Sequence, residues 1–145
     1  MGGVIVTGVD GSATARAATR KAAALASMTD AELVVVCAFD KLEVEQVEAD
    51  GREYVFTTQG SAEVTAQESI RALQQVHPTL RATPLAAQGK PADVLLKVAT
   101  ERDAQVIVVG NKRVQGVSRL LGSVAADVAQ QASCDVFIAH THSRT

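Results

Sequence analysis

Apolar residues along the chain fall into short continuous runs that are separated by longer stretches with helical spacing. The runs predict five β-strands, at residues 4–6 with Val9, 33–38, 80–87, 106–109 and 136–139. Residues 33–38 and 106–109 are apolar without alternation, which indicates strands that are buried on both faces. Such strands are typical of a parallel sheet that lies between two layers of helices.

The intervening stretches predict four helices, at residues 12–28, 61–76, 92–101 and 123–132. Pro91 precedes the third of them, and proline is favoured in the first turn of a helix. Strands that alternate with helices imply right-handed crossovers and a parallel sheet. We therefore predict a single α/β domain over residues 1–145, with a five-stranded parallel sheet and helices on both faces. Pro84 cannot donate a ladder hydrogen bond, so the third strand is expected at a sheet edge.

One segment, residues 39–60, does not fit this alternation. It carries six acidic residues and only two basic ones, namely Asp40, Glu43, Glu45, Glu48, Asp50 and Glu53 against Lys41 and Arg52. Long connections of this kind in compact domains are often surface loops or lids. We interpret the segment as a solvated connection with room for a helical turn. A metal site formed by these acids is the alternative, although they lack the spacing of an EF-hand.

The composition limits the classes of partner. Hydrophobic residues make up 47% of the chain and charged residues 21%, as in an ordinary soluble protein. A net charge of −2 and an aromatic content of 3% argue against nucleic acid, which requires a basic surface or stacking platforms. No apolar run approaches the roughly 18 residues of a membrane span, so no membrane association is expected. Cys37 and Cys134 lack zinc-site spacing and the first residues lack signal-peptide features, which favours a cytoplasmic protein with buried thiols.

Ligands of open parallel sheets bind beyond the carboxyl ends of the strands, where the strand order reverses. Four segments qualify here, at residues 9–12, 38–40, 88–90 and 110–123. In the last, a glycine ends a buried strand, three basic residues follow, and Gly122-Ser123 opens a helix. Backbone amides at a helix N-terminus attract anions, and glycines allow a phosphate to approach closely. Alternatively, Ser123 only caps the helix and the glycines only turn the chain.

Asp10 follows the first strand, where its carboxylate could accept hydrogen bonds from a ribose or hold Mg²⁺. Ser12 is expected to cap the first helix. The chain has neither a Walker A loop nor a GxSxG elbow, and no Ser/His/Asp or Cys/His set can be assembled from it. His140 and His142 lie in the C-terminal tail, where a frayed end is expected. We therefore predict a binding protein with, at most, slow hydrolysis of a nucleotide.

Residues 9–12, the strand that runs into Gly110, and Gly122-Ser123-Val124 resemble the universal stress protein family. The resemblance implies the strand order 3-2-1-4-5 and a homodimer that pairs through strand 136–139. In the family's nucleotide-binding members, positions matching Gly8 and Asp10 lie near adenine and ribose, and the position matching Ala38 touches the base. The positions that hold ribose and phosphates match Val109, Gly110, Asn111, Lys112, Gly122, Ser123 and Val124.

The chain departs from the family's G-x-x-G pattern at Arg113, which stands at the second glycine. An arginine there either fills the phosphate pocket or reaches the phosphates as a guanidinium fork. Three hypotheses follow from the resemblance. The chain is an ATP-binding regulator of the stress response, with or without Mg²⁺; it prefers cyclic AMP, whose single charge needs a smaller cradle; or it is a homodimer in which Arg113 has closed the site.

Overall fold

The computed structural model describes residues 2–111 and 121–141. The elements are β1 Val4–Gly8, α1 Ala13–Thr29, β2 Glu32–Phe39, β3 Val44–Ala49, β4 Arg52–Thr57, α2 Thr58–Val76, β5 Ala82–Gln88, α3 Pro91–Glu101, β6 Val106–Gly110, α4 Ser123–Gln131 and β7 Asp135–Ala139. Five strands form one parallel sheet in the order β5-β2-β1-β6-β7. Without the separate β3–β4 hairpin, this is the expected order 3-2-1-4-5, and the predicted fold is confirmed.

Two apolar layers enclose the sheet, one on each face. On the first face, Leu33 and Val35 pack with the alanine-rich sides of α1 and α2. On the second face, Val34 and Ile107 pack with α3 and α4. Neighbouring residues of β2 thus point to opposite layers, because side chains alternate along a strand. This two-sided burial explains why the central strands are continuously apolar.

The edge position of the proline-containing strand is confirmed. β5 lies at one end of the sheet and pairs only with β2, with Pro84 opposite Val35. A proline on an edge strand can face solvent with its missing N–H, so the ladder to β2 is preserved.

Residues 40–56 are exposed, as expected for a solvated connection, but the expected helical turn is wrong. The segment forms an antiparallel hairpin in which Ala49 pairs with Arg52 across the two-residue turn Asp50-Gly51. Both turn residues have positive φ, at 55° and 72°. Asp-Gly is a preferred pair for this tight hairpin turn, and β-branched and aromatic residues flank it on both strands.

α2 also begins earlier than predicted, at Thr58 rather than at residue 61. The Thr57 hydroxyl accepts a hydrogen bond from the Gly60 amide at 2.9 Å and caps this helix. The hairpin therefore passes directly into α2 without an intervening loop. In residues 2–111 and 121–141, no helix has the length and apolar character that crossing a membrane requires.

Ile107 is fully buried at the centre of the sheet. We expect Ile107→Ala to lower the free energy of unfolding by about 2–5 kcal/mol, since it removes buried methyl groups and leaves a cavity. Met28→Ala is the control, because the Met28 side chain is 77% exposed and its loss should change stability by less than about 0.5 kcal/mol. Urea unfolding of both variants checks this, and equal effects would contradict the assigned core.

Candidate functional site

The strand order reverses between β1 and β6, since the chain proceeds outward from β1 to β2 and β5 on one side and through β6 to β7 on the other. α1 and α2 cover one face of the sheet, whereas α3 and α4 cover the other. The helices that follow β1 and β6 thus depart to opposite faces. A crevice at the carboxyl ends of these two strands is the expected consequence.

A cavity of about 160 Å³ lies in this crevice. Six of the site residues predicted from the sequence line it, namely Gly8, Asp10, Ala38, Val109, Gly110 and Val124. The remaining wall consists largely of apolar side chains. The structure therefore brings together the ends of β1, β2 and β6 and the start of α4.

The sequence prediction missed two of the walls. α3 contributes Pro91, Val94 and Leu95, and α1 contributes Thr14, Ala15 and Ala18. The available signal was the segment at residues 88–90, which places the start of α3 at the same edge of the sheet. Its apolar residues indicate only a packed helix, so the sequence alone does not separate a core position from a pocket wall.

The β1–α1 turn holds the Asp10 carboxylate at the mouth of the cavity. Asp10 Oδ1 accepts a hydrogen bond from the Ser12 amide at 2.9 Å. Gly11 between them has a φ of 84°, a left-handed conformation that favours glycine. The Ser12 hydroxyl in turn accepts from the Ala15 amide at 3.2 Å, which confirms Ser12 as the cap of α1. The turn thus fixes the Asp10 carboxylate, while the Ser12 side chain caps α1.

Glycines at the ends of β1 and β6 allow the neighbouring elements to approach. A Cβ atom at Gly110 would lie 3.0 Å from Thr14 Cγ2 and 3.2 Å from Thr141 Cγ2. A Cβ atom at Gly8 would lie 3.3 Å from Leu95 Cδ2. A side chain at either position would therefore press on Thr14 or Leu95, which are themselves walls of the cavity.

The N-terminus of α4 lacks a side-chain cap. Gly122 occupies the cap position and Ser123 is the first helical residue, so the alternative that Ser123 caps the helix is wrong. Within residues 2–111 and 121–141, no protein acceptor serves the amides of Ser123 and Val124. α3 differs, because it begins with Pro91, which has no N–H, and carries Asp93 in its first turn. Of the two helices on this face, α4 has the stronger character of an anion site.

Asn111 has its polar groups engaged within the protein. Its amide donates to the Ala139 carbonyl at 3.0 Å, and its Oδ1 accepts from the Thr141 amide at 2.8 Å and the Thr141 hydroxyl at 2.9 Å. Its Nδ2 lies 3.1 Å from His140 Nδ1. Asn111 thus ties the end of β6 to the chain after β7, and a ligand contact from it stays a prediction. The predicted residues Lys112 and Arg113, like His142, lie outside the described residues.

The pKa of each of the two thiols is raised, which favours the neutral form. Burial raises the pKa of Cys37, and the negative charge of Asp10 raises this pKa further. Burial also raises the pKa of Cys134; Asp135 adds to the effect and a backbone hydrogen bond at Ile107 opposes it. In the described part of the chain, no group of three or more His, Cys, Asp or Glu side chains could hold a metal ion.

Comparison with known proteins extends the resemblance to the whole fold. The model of the universal stress protein family matches residues 1–140. Over 142 residues, the chain is 32% identical to the universal stress protein Rv1636 of Mycobacterium tuberculosis, an overlap that covers 94% of this chain and 95% of that protein.

Solved structures with the same fold include nucleotide complexes. A crystal structure of a universal stress protein in complex with cAMP superposes with a TM-score of 0.74 at 26% identity, covering 97% of this chain and 98% of that one. The universal stress protein from Archaeoglobus fulgidus in complex with dAMP superposes with a TM-score of 0.66 at 24% identity, covering 95% and 97%. At 24% identity, the similarity to the dAMP complex shows only that the two chains share a fold.

Gly11 offers a test of the turn that holds Asp10. A Cβ atom at Gly11 would have no atom within 4 Å, so a side chain there meets only the backbone strain of its positive φ. We expect Gly11→Ala to lower the free energy of unfolding by about 1 kcal/mol, and Gly11→Asn by less, because asparagine enters the left-handed region more readily. Urea unfolding of both variants measures the difference. An alanine variant as stable as the parent chain would contradict the assigned turn.

Proposed function

The chain belongs to the universal stress protein family, and on this premise we propose that it is a stress-response regulator that binds an adenosine nucleotide in the crevice between β1 and β6. The observation that carries the proposal is the combination of an apolar cavity, one carboxylate at its mouth, and beside it a helix N-terminus that no side chain in the described part of the chain caps. Each of these three features suits one part of a nucleotide.

The apolar wall suits the adenine ring. Ala38, Val94 and Leu95 offer aliphatic surface from two elements, and small-molecule sites are commonly lined in this way with a few polar groups for orientation. Val36 and Val109 continue the wall towards the sheet. We assign the base to this part of the cavity.

The Asp10 carboxylate suits the ribose. A carboxylate accepts hydrogen bonds at both oxygens, and the Ser12 amide donates to one of them. Ribose hydroxyls are donors of the matching kind, and the turn holds the acceptor before the ligand arrives. Hydrogen bonds to a charged acceptor are stronger than neutral ones.

The N-terminus of α4 suits the phosphates. The amides of Ser123 and Val124 and the positive end of the helix dipole favour an anion, whereas Asp93 disfavours one at the start of α3. Mg²⁺ would enter with a triphosphate, since this ion is usually held by a carboxylate or two together with substrate phosphates.

ATP is the first candidate ligand and cyclic AMP the second. Arg113 at the second glycine of the family motif favours cyclic AMP, because a single phosphate requires a smaller cradle than three. The structure with a TM-score of 0.74, in which a universal stress protein holds cAMP, supports the same candidate. Binding of either ligand would place the base and ribose in the same cavity.

We also propose that the chain forms a homodimer through β7. Phe137 is 45% exposed and Ile138 37% exposed on this edge strand. An edge strand that presents large apolar side chains and unpaired backbone groups is a template for pairing with another chain. A dimer through β7 leaves the crevice at the opposite side of β6 open.

Titration calorimetry with ATP, cyclic AMP and adenosine tests the nucleotide site. We expect heat on titration with at least one phosphate ester, and Asp10→Asn should weaken its binding about tenfold to a hundredfold, as for the loss of a charged hydrogen bond. Asparagine keeps an oxygen for the Ser12 amide, so the turn is preserved.

Asp93→Asn is the matched control, since it removes an acid from the first turn of the neighbouring helix without touching the ribose position. Its affinity should stay within about twofold of the parent or rise slightly as a negative charge is lost. No heat with any of the three ligands would overturn the proposal in favour of a site closed by Arg113. In that case, Arg113→Gly would create binding.

Ser123→Asp separates helix stability from phosphate binding. An acid at the first position of α4 should stabilise the helix by about 0.3–1 kcal/mol through the dipole. The same charge should repel a phosphate, so affinity for the phosphate ester should fall at least about fivefold. Affinity for adenosine should not change, because adenosine has no phosphate. Thermal melting and calorimetry on one preparation give both values, and a parallel loss for adenosine would contradict the assigned orientation.

A further inference from the structure

Two surfaces of the chain lie largely outside the nucleotide cavity and β7, although the second borders the β1–α1 turn at Val9 and Gly11. The first is the β3–β4 hairpin, which stands apart from the main sheet. The second is a cleft of about 400 Å³ between α1 and α2. The hairpin exposes large apolar side chains, and the cleft combines an apolar interior with two arginines.

The hairpin exposes large apolar side chains. Val44 is 62% exposed, Val55 59% and Phe56 52%. The register places Val47, Tyr54 and Phe56 on one face, because Val47 pairs with Tyr54 and alternate residues share a face. Val44 and Val55 lie on the opposite face, so both faces of the hairpin expose apolar side chains. An isolated two-stranded sheet is marginally stable in water, and exposed apolar surface on it marks an interaction site.

The cleft has an apolar interior and basic side chains. Leu73 and Val76 of α2 line it, and Val76 is 73% exposed. Arg16 and Arg20 of α1 line the opposite wall. Within residues 2–111 and 121–141, neither guanidinium lies within ion-pair distance of a carboxylate. Glu68 and His77 are the other titratable groups at the cleft.

The charges of the two surfaces are opposite. Residues 40–57 contain six acidic and two basic residues, a formal charge of −4, so the rest of the chain carries +2 against the total of −2. Glu45 shares the face of Tyr54 and Phe56, which places an acid beside the exposed aromatics. The cleft pairs two arginines with an apolar floor, and its volume suits side chains, since a water needs only about 30 Å³.

We propose that the β3–β4 hairpin of one copy of this chain docks into the α1–α2 cleft of a second copy. Tyr54 and Phe56 fill the apolar part of the cleft, and Arg16 and Arg20 face the acids of the hairpin. The cleft is not filled by the hairpin of the same molecule, because every residue of β3 is exposed and β4 is exposed up to Phe56. The contact joins copies independently of β7 and of the nucleotide.

Sedimentation velocity over a series of protein concentrations tests this contact, with two double variants. Tyr54→Ser with Phe56→Ser removes the aromatic side chains of the hairpin, and Arg16→Glu with Arg20→Glu reverses the charge of the cleft. Each should raise the dissociation constant of the hairpin-dependent association at least tenfold. Lys97→Glu with Arg102→Glu is the matched charge control on α3 and should leave association unchanged.

Mixing the two double variants gives the sharpest result. One then supplies an intact cleft and the other an intact hairpin, so the mixture should recover the hairpin-dependent association that neither variant shows alone, beyond any dimer formed through β7. Circular dichroism and thermal melting establish that both variants are folded, and the cleft variant alone still tests the proposal if the hairpin variant unfolds.

Three results would overturn the proposal. The first is a parent chain whose sedimentation neither double variant changes. The second is association lost in the hairpin variant but kept in the cleft variant, which indicates pairing of one hairpin with another. The third is a mixture of the two double variants in which the hairpin-dependent association does not return.

Discussion

The pairing of β1 with β6 is the contact on which the candidate site depends. Thr7 lies between Val35 of β2 and Val108 of β6, and it is fully buried. Its hydroxyl donates to the Val108 carbonyl at 3.0 Å, which satisfies a polar group that would be costly to bury alone. The strand order reverses at this pairing, so the helices that follow β1 and β6 diverge and leave the crevice between them. The glycines at the strand ends then keep the crevice narrow without filling it with side chains.

The crevice is electrically asymmetric, and this asymmetry would set the orientation of a ligand. Asp10 places a negative charge at the end of β1, and this charge adds to the burial that raises the pKa of Cys37. The N-terminus of α4 places partial positive charge on the other side; its first turn carries no acid, and no side chain among residues 2–111 and 121–141 caps it. A nucleoside phosphate has hydroxyl donors at its ribose and anionic oxygens at its phosphates. The two ends of such a molecule therefore fit in one orientation and are repelled in the other.

The sequence predicted the sheet well because buried parallel strands are recognisable without partners, and Pro84 identified an edge through its missing N–H. The candidate site was predicted from the segments that follow the strands. These segments include Asp10 and Gly110 of the cavity wall, but not Val94 and Leu95. An apolar helix residue has the same sequence signature whether it contacts a core or a cavity. The alternative that Ser123 only caps α4 is wrong by one residue, since Gly122 takes the cap position. The hairpin was missed because the length and the acidic residues of the segment were interpreted as a surface connection, and the Asp50-Gly51 pair was not considered as a turn.

The hairpin form of residues 44–57 itself argues for a contact. Glu48 stands opposite Glu53, a pair of like charges that destabilises the strand pairing. The base is nevertheless fixed, since the Thr58 hydroxyl donates to the Lys41 carbonyl at 2.6 Å and accepts from the Glu43 amide at 3.0 Å. α2 follows β4 directly, so the hairpin is fixed to the start of this helix. A pre-ordered arm loses less conformational entropy on docking than a flexible loop of the same sequence would. An ordered hairpin with exposed aromatic side chains is thus better suited to binding another surface than to serving only as a solvent-exposed connection.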